Sequence, residues 1–279
     1  MTPSVVPAPD LPPSALALAA SLLLVNAAIS WGFRLGLERR LLLASLRMVV
    51  QLALAGIVLA TIFAQSSPVW TLAMALVMAA AAGHEVVARL VRRPRGGVLP
   101  YAAGTLTLLA IGALFSILAT AQLIGAEPWY APRYLLPVLG MVLGNAMTGA
   151  ALVLDAIIGA AYRERAALEA RLALGEGRYA AFDGVLRRGI ETGLTPILNA
   201  MAVAGVVSLP GMMTGQILAG ADPLQAAKYQ MMILFLIAAA TALTVLVAGV
   251  AAVRLLTDER HRLRLDRLQP AAQSGPSGP

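Results

Sequence analysis

Apolar residues in this chain fall into long continuous runs, and polar residues gather in the connections between them. A helix needs about 20 mostly apolar residues to cross a hydrocarbon core. Runs at 14–33, 42–63, 68–83, 100–122, 134–157, 190–209 and 229–255 come near that length; the third is the shortest and can continue to Leu90. The pattern predicts an all-α fold, a polytopic membrane helix bundle of about seven transmembrane helices. Residues 1–13 form a proline-rich tail ahead of the first run, with no basic stretch that would mark a cleaved signal peptide. Residues 14–257 form the transmembrane domain, whose longest polar connection is 159–189, and residues 258–279 form a C-terminal tail with a disordered end. Segment 210–223 is too short to span, carries no charge before Asp222 and holds Gly211, Gly215 and Gly220. A re-entrant turn, an interfacial piece and an external loop all fit it, since irregular backbone at membrane depth survives only inside protein or beside water.

Arginine placement orients the bundle, because basic residues collect in cytoplasmic connections. One set of connections holds Arg34, Arg39 and Arg40, then Arg89, Arg92, Arg93 and Arg95, then Arg163, Arg165, Arg171, Arg178, Arg187 and Arg188. The C-terminal segment adds Arg254, Arg260, Arg262, Arg264 and Arg267, whereas the alternate connections hold only Arg133 and Lys228. Seven spans place every basic-rich connection on one side, with the N-terminus outside and the C-terminus in the cytoplasm. The expected location is the cell inner (plasma) membrane, as a multi-pass protein among lipid.

Composition agrees with the pattern and removes several function classes. Of the 279 residues 59% are hydrophobic and only 13% charged, about half the usual share for a soluble domain. The absence of cysteine excludes disulfides, thiolate metal sites and thiol nucleophiles. The net charge of +7 is spread between apolar runs rather than gathered in a patch, which argues against nucleic acid as a partner. A phosphate-binding loop needs Gly-x-x-x-x-Gly-Lys-Ser/Thr, but the only lysine, Lys228, is followed by Tyr229. His84 and His261 stand in separate segments and form no zinc pattern. No catalytic residue is therefore expected, no cofactor bound by this chain, and any metal ligand set is unknown.

The remaining polar residues sort by depth. Arg47, His84, Glu85, Asp155 and Glu191 lie near the arginine-rich ends of runs. They fit snorkelling or interfacial pairing, or a cytoplasmic vestibule of Arg47, Gln51, Asp155 and Glu191 in which Arg47 pairs with Asp155 or Glu191. Nearer the midplane come Asn145 and Thr148 in the fifth run and Asn199 in the sixth. A buried amide needs a partner, so these residues serve either an interhelical hydrogen bond or a substrate path. Pro196 frees the carbonyl of Thr192 in mid-helix and adds to the second reading, with Gln216 at the outer end. Gly140, Gly144 and Thr148 recur every four residues and fit close helix packing, within the subunit or at a dimer contact. The pairs Met212-Met213 and Met231-Met232 fit gap-filling in apolar packing or a soft-metal site.

The connection 159–189 contains Glu169-Ala170-Arg171-Leu172-Ala173-Leu174-Gly175. By itself this reads as an amphipathic loop helix closed by a glycine cap. It also resembles the Glu-Ala-Ala-x-x-x-Gly string of ABC importer permeases, with Arg171 in place of the second alanine and without the downstream Ile-x-Leu-Pro at its usual spacing. A wider likeness covers about residues 34–263. Leu-Pro-Gly-Met-Met-Thr-Gly-Gln-Ile-Leu-Ala-Gly-Ala-Asp-Pro-Leu at 209–224, Gly-Met-Val-Leu-Gly-Asn-Ala-Met-Thr at 140–148, and Arg47 and Gln51 with Gly56 resemble the FetB family of iron-export ABC permeases. The resemblance implies a permease that forms a homodimer and works with a separate ATPase subunit holding ATP–Mg. It also implies iron export as the activity, with Glu169, Ala170, Ala173 and Gly175 as the coupling segment. Plant relatives of that family are linked to aluminium tolerance, and an ABC permease for a nucleotide sugar is the alternative cargo reading. An ion-coupled secondary transporter is the alternative by mechanism, although such proteins usually place titratable groups near the midplane. A non-transporting membrane scaffold is the third class.

Overall fold

Two long helices, α5 (Pro132–Arg163) and α10 (Pro223–Leu256), form the axis of a computed structural model that describes residues 12–95 and 98–269. At 1.5 Å per residue they are about 48 and 51 Å long, well beyond a hydrocarbon core of about 30 Å. Around them stand α1 (Pro13–Gly32), α2 (Glu38–Gln65), α3 (Pro68–Arg89), α4 (Val98–Ile117) with a π-helical continuation over Leu118–Ile124, and α8 (Asp183–Val203). Short helices α6 (Arg165–Ala173) and α7 (Arg178–Ala181) cross between α5 and α8, and α9 (Gly211–Leu218) precedes α10. Most of residues 1–13 and residues 270–279, expected as tails, lie outside the described residues.

Among the described residues six helices are long and apolar enough to cross a membrane: α1, α2, α3, α4 with its continuation, α5 and α10. The sixth expected run, 190–209, is placed differently. Its helix begins seven residues earlier at Asp183 and stops at Val203, where Ala204 turns extended and Gly205 takes a φ of +81°. Because α8 includes Asp183, Arg187, Arg188 and Glu191, it is not apolar enough to count with the six. Segment 210–223 is a short helix and turn packed against α10, and Asp222 caps α10 by accepting the Gln225 N–H at 3.0 Å.

Helix packing within the subunit depends on small residues, though at Gly149 and Gly193 rather than along the stripe of Gly140, Gly144 and Thr148. A Cβ on Gly149 would lie 2.8 Å from Val245 Cγ2 and 3.1 Å from the Gly193 carbonyl oxygen; one on Gly193 would lie 3.0 Å from the Gly149 oxygen. Here α5, α8 and α10 meet almost backbone to backbone. Gly144 by contrast has no neighbour within 4 Å of such a Cβ, and Gly140 has only Met78. The α1–α2 hairpin is far more loosely held. Ile62 is the one buried residue of α2, and Ser30 closes the turn by donating to Glu38 Oε2 at 3.0 Å and accepting from the Leu37 N–H at 3.1 Å.

The excess length of α5 and α10 lies at the arginine-rich end and carries a layer resembling a soluble core. Phe182, Ile157, Val253 and Leu256 are fully buried there, with Leu168 and Ala181 beside them. The C-terminal segment, expected as a tail, folds back over this layer as far as Gln269. Leu268 bridges to Pro94, and Arg267 donates to the carbonyls of Leu255 and Thr257. Ion pairs within the strap shift its acids. A hydrogen bond from Arg264 holds Asp266 at about 2, and the backbone N–H of Arg262 is the largest cause holding Asp258 below its ordinary value.

Candidate functional site

Helix α8 presents its apolar side to the protein and its polar side outward. Val185, Gly189, Gly193 and Ile197, four residues apart, are buried against α5 and α10. Arg188, Glu191, Thr192, Thr195, Pro196 and Asn199 occupy the opposite side and are exposed. Ordinary amphipathic helices do the same toward water. In a membrane bundle such a stripe requires water or further protein, because each unmatched polar group in hydrocarbon costs several kcal/mol, of order 2–7. Thr192 and Thr195 return their hydroxyls to the carbonyls of Arg188 and Glu191 at 2.8 and 2.7 Å. Pro196 has no N–H for the Thr192 carbonyl, as expected.

A groove of about 600 Å³ runs between this stripe and Leu152 of α5. Four residues before Leu152, Thr148 is half-buried, and Asn145 and Gly144 are half-buried one turn further on. The Asn145 amide donates to its own helix at Met141 O, 2.9 Å away, and among the described residues no hydrogen bond joins it to Asn199. Thr148 donates to the Gly144 carbonyl at 2.9 Å and accepts from Arg89 Nη1 at 3.3 Å. Gln216 sits on α9, and its Oε1 is buried without a hydrogen-bond partner.

The vestibule residues are partnered differently from the expectation. Arg47 of α2 pairs with Glu85 of α3 at 2.7 Å, not with Asp155 or Glu191, and Arg89 approaches the same carboxylate at 3.9 Å. Asp155 accepts the backbone N–H of Val91 at 3.2 Å, and Glu191 pairs along its own helix with Arg187 at 3.5 Å. Gln51 is exposed on α2, one turn from Arg47. A polar layer therefore links α2, α3 and α5 through Arg47, Glu85, Arg89 and Thr148. The part of Arg89 in it was not anticipated; its position four residues after Glu85, on the same helix face, is the signal that points there.

The loop between α5 and α8 is a rigid cap. Buried Leu168 and Phe182 anchor it, and Glu164 accepts two hydrogen bonds from Arg188 at 2.7 and 2.9 Å. Gly175, with φ +91°, ends α6: its N–H reaches Leu172 O at 3.1 Å and the Glu176 N–H reaches Arg171 O at 3.2 Å. That left-handed closure suits glycine. Ala170, Ala173 and Gly175 are exposed, and Glu169 pairs with Arg165 at 2.8 Å. Arg171, the departure from the importer string, turns inward to Ala181 O at 3.0 Å and Glu176 at 2.7 Å. It supports the cap and leaves the outer surface to smaller residues. Leu174, 85% exposed beside Gly175, is an apolar projection that the string reading passed over. Among the described residues no three histidine, aspartate or glutamate side chains converge as a metal site.

Comparison with known proteins gives one family. Residues 13–256 match the uncharacterised protein family UPF0014. A UPF0014 membrane protein of Synechocystis is 35% identical over 82% of this chain and 87% of its own length. The probable iron export permease protein FetB of Escherichia coli is 30% identical over 91% of this chain and 95% of its own. The aluminum sensitive 3 protein of Arabidopsis thaliana is 33% identical over 80% of each. No solved structure matches. This chain belongs to the UPF0014 family and is a multi-pass, all-α membrane protein.

Proposed function

We propose that this UPF0014 member is the membrane-spanning permease subunit of an ABC-type exporter of the plasma membrane, moving iron outward. The observation that carries the proposal is the outward polar stripe of α8 beside Asn145 and Thr148 of α5. It occurs in a chain similar, over nearly all its length, to a protein named as a probable iron export permease. A polar stripe at membrane depth needs water or protein against it. A second copy related by a two-fold axis supplies both, covering the stripe and enclosing a polar path, and closed two-fold symmetry is the commonest way to double a chain. In this reading α8 is the sixth of seven spans, the arginine-rich end is cytoplasmic and the N-terminus is outside.

Along the path, Asn145, Asn199 and Gln216 offer amide oxygens, Pro196 leaves the Thr192 carbonyl free, and Thr148 adds a hydroxyl. Such neutral oxygen groups suit a hard cation without trapping it. Asp155 and Glu191, toward the arginine-rich end, attract the cation at its entrance. Power comes from a separate ATPase subunit that binds ATP–Mg and docks on Glu169, Ala170, Ala173, Leu174 and Gly175. The test is iron efflux from vesicles containing the permease and its ATPase. Asn145→Leu, Asn199→Leu and Gln216→Leu should each slow efflux at equal expression. Undiminished efflux in all three rejects the path. ATP-driven movement of a nucleotide sugar with no response to iron rejects the cargo, and transport coupled to an ion gradient without any ATPase rejects the class.

A further inference from the structure

A second opening in the bundle lies away from the polar stripe. Helices α3, α4 and α10 enclose a crevice of about 400 Å³ whose floor is α5. Val86, Leu90, Leu108, Leu154 and Leu255 form much of its wall. Three lining residues carry hydroxyls, and each is committed to backbone. Tyr101 donates to Ala80 O at 2.9 Å, Thr107 to Ala103 O at 2.9 Å, and Thr244 to Ala240 O at 2.8 Å. The wall therefore presents almost entirely hydrocarbon and has little to offer a metal ion or a nucleotide. The crevice opens sideways, because Ala103 and Gly104 of α4 and Val247 and Ala251 of α10 lie on its rim and are exposed. In a membrane protein that surface faces acyl chains.

Arginines adjoin one end of the crevice in sequence, though none is among the residues that line it. Leu90, Pro94 and Leu255 line that end, and exposed Arg93 and Arg254 adjoin Pro94 and Leu255. Arg254 continues the helical stripe of Val247 and Ala251 by one turn. Arg93 commits one nitrogen to Ala88 O and Arg254 one to the Tyr179 hydroxyl, out of the five N–H donors of a guanidinium. Two acids of the adjoining strap are paired, Asp258 with Arg262 and Arg264 and Asp266 with Arg264, while Glu259 is exposed and makes no ion pair among the described residues. An apolar slot that opens toward lipid and ends in arginines matches an amphiphile with one hydrocarbon chain inside and an anionic group at the end.

We propose that this crevice is a binding site for an anionic phospholipid, with an acyl chain between α4 and α10 and the phosphate at Arg93 and Arg254. The lipid then closes the seam between α4 and α10 where the helices themselves leave a gap. The proposal does not depend on which cargo the protein moves. The test is native mass spectrometry of the full chain in detergent, titrated with phosphatidylglycerol or phosphatidylcholine. Phosphatidylglycerol should be retained in preference. Arg93→Gln with Arg254→Gln should weaken its retention roughly thirtyfold, from the contribution of two surface arginines. Ala251→Trp, which fills the rim, should abolish retention, whereas Leu72→Trp on an exposed part of α3 should not. Equal retention of the two lipids by the unaltered chain, or normal phosphatidylglycerol retention in Ala251→Trp, overturns the proposal. If Ala251→Trp does not fold, a phospholipid with a photoreactive acyl chain replaces it as the test on the unaltered protein. Labelling of the peptides containing Leu108 and Leu154 supports the site, and labelling confined to other helices overturns it.

Discussion

The crossing of α5 and α8 at Gly149 and Gly193 can be tested by a single added side chain. In Gly193→Val the Cβ alone would sit 3.0 Å from the Gly149 carbonyl oxygen, 3.0 Å from Val245 Cγ1 and 3.1 Å from Val153 Cβ. A backbone oxygen cannot rotate aside as a side-chain terminus can, so the helices must separate to relieve the contact. Overpacking of this kind costs about 1–3 kcal/mol. The better helix propensity of valine returns only a few tenths of a kcal/mol, roughly 0.3. A net loss of about 2 kcal/mol corresponds to a melting point lower by about 4–8 °C in a chain of this size. Gly144→Ala is the matched control on α5. No atom stands within 4 Å of its added Cβ, so the change should be neutral or stabilising by about 0.5–1 kcal/mol. Thermal unfolding of the two variants in one detergent, followed by tryptophan fluorescence and by the fraction still monodisperse, separates the cases. Identical melting of Gly193→Val and the unaltered chain, or an equal loss in both variants, would refute the crossing.

Reporter fusions after Gly177 and Gln269 should read cytoplasmic and fusions at Ser66 or Glu127 should not; an external C-terminus removes the seven-span orientation. Leu174→Asp, Glu169→Arg and Gly175→Trp should leave membrane insertion intact yet reduce co-purification with the ATPase subunit and its coupled hydrolysis, and normal values in all three take the α6 cap out of the coupling. Mass measurement of the intact transporter in detergent should find two copies of this chain, and an active complex with one contradicts the paired path. Asp258 and Asp266 have folded values below their unfolded ones of about 3.9, so their contribution to the strap is present above about pH 4 and is lost as pH falls toward 2. Asp266→Asn should reproduce that loss at neutral pH as faster tryptic cleavage at Arg264 and Arg267, whereas unchanged cleavage shows that the ion pair does not hold the strap.

What was legible in the sequence divides along physical lines. Six of the helices follow from unbroken apolar runs, because lipid requires such runs and little else in this chain competes with them. The cap on α6 was readable from Gly175, since a left-handed closure narrows the choice of residue. Pairing was not readable. Arg47, Asp155 and Glu191 stand at similar depth, but it is Glu85 of α3 whose carboxylate comes within 2.7 Å of the Arg47 guanidinium, and depth alone does not choose between carboxylates. The small-residue stripe shows a related point within the subunit. Gly140, Gly144 and Thr148 have regular spacing, yet Gly149 makes the close approach because it lies on the side of α5 that faces Gly193 and Val245. Spacing identifies a face; the neighbour decides what the face does.

The displacement of α8 extends the same argument to function. An apolar-run criterion describes a helix surrounded by lipid, so it moved the sixth expected span toward the apolar residues at 202–209 and left Asp183–Gly189 in the loop. The actual helix gives up 204–209 and takes in Asp183, Arg187 and Arg188, and Arg188 joins Glu191, Thr192, Thr195 and Asn199 on one outward side. A helix that lines water needs only one apolar side, toward its own subunit, and its other side carries whatever the passing solute requires. The feature that keeps α8 from looking like a membrane span is therefore the feature expected of a helix bordering a path. Its buried side supports the reading, because Val185, Gly189, Gly193 and Ile197 hold it closely against α5 and α10. A polar loop that merely lay on the bundle surface would have no need of a crossing in which glycine backbones come that close.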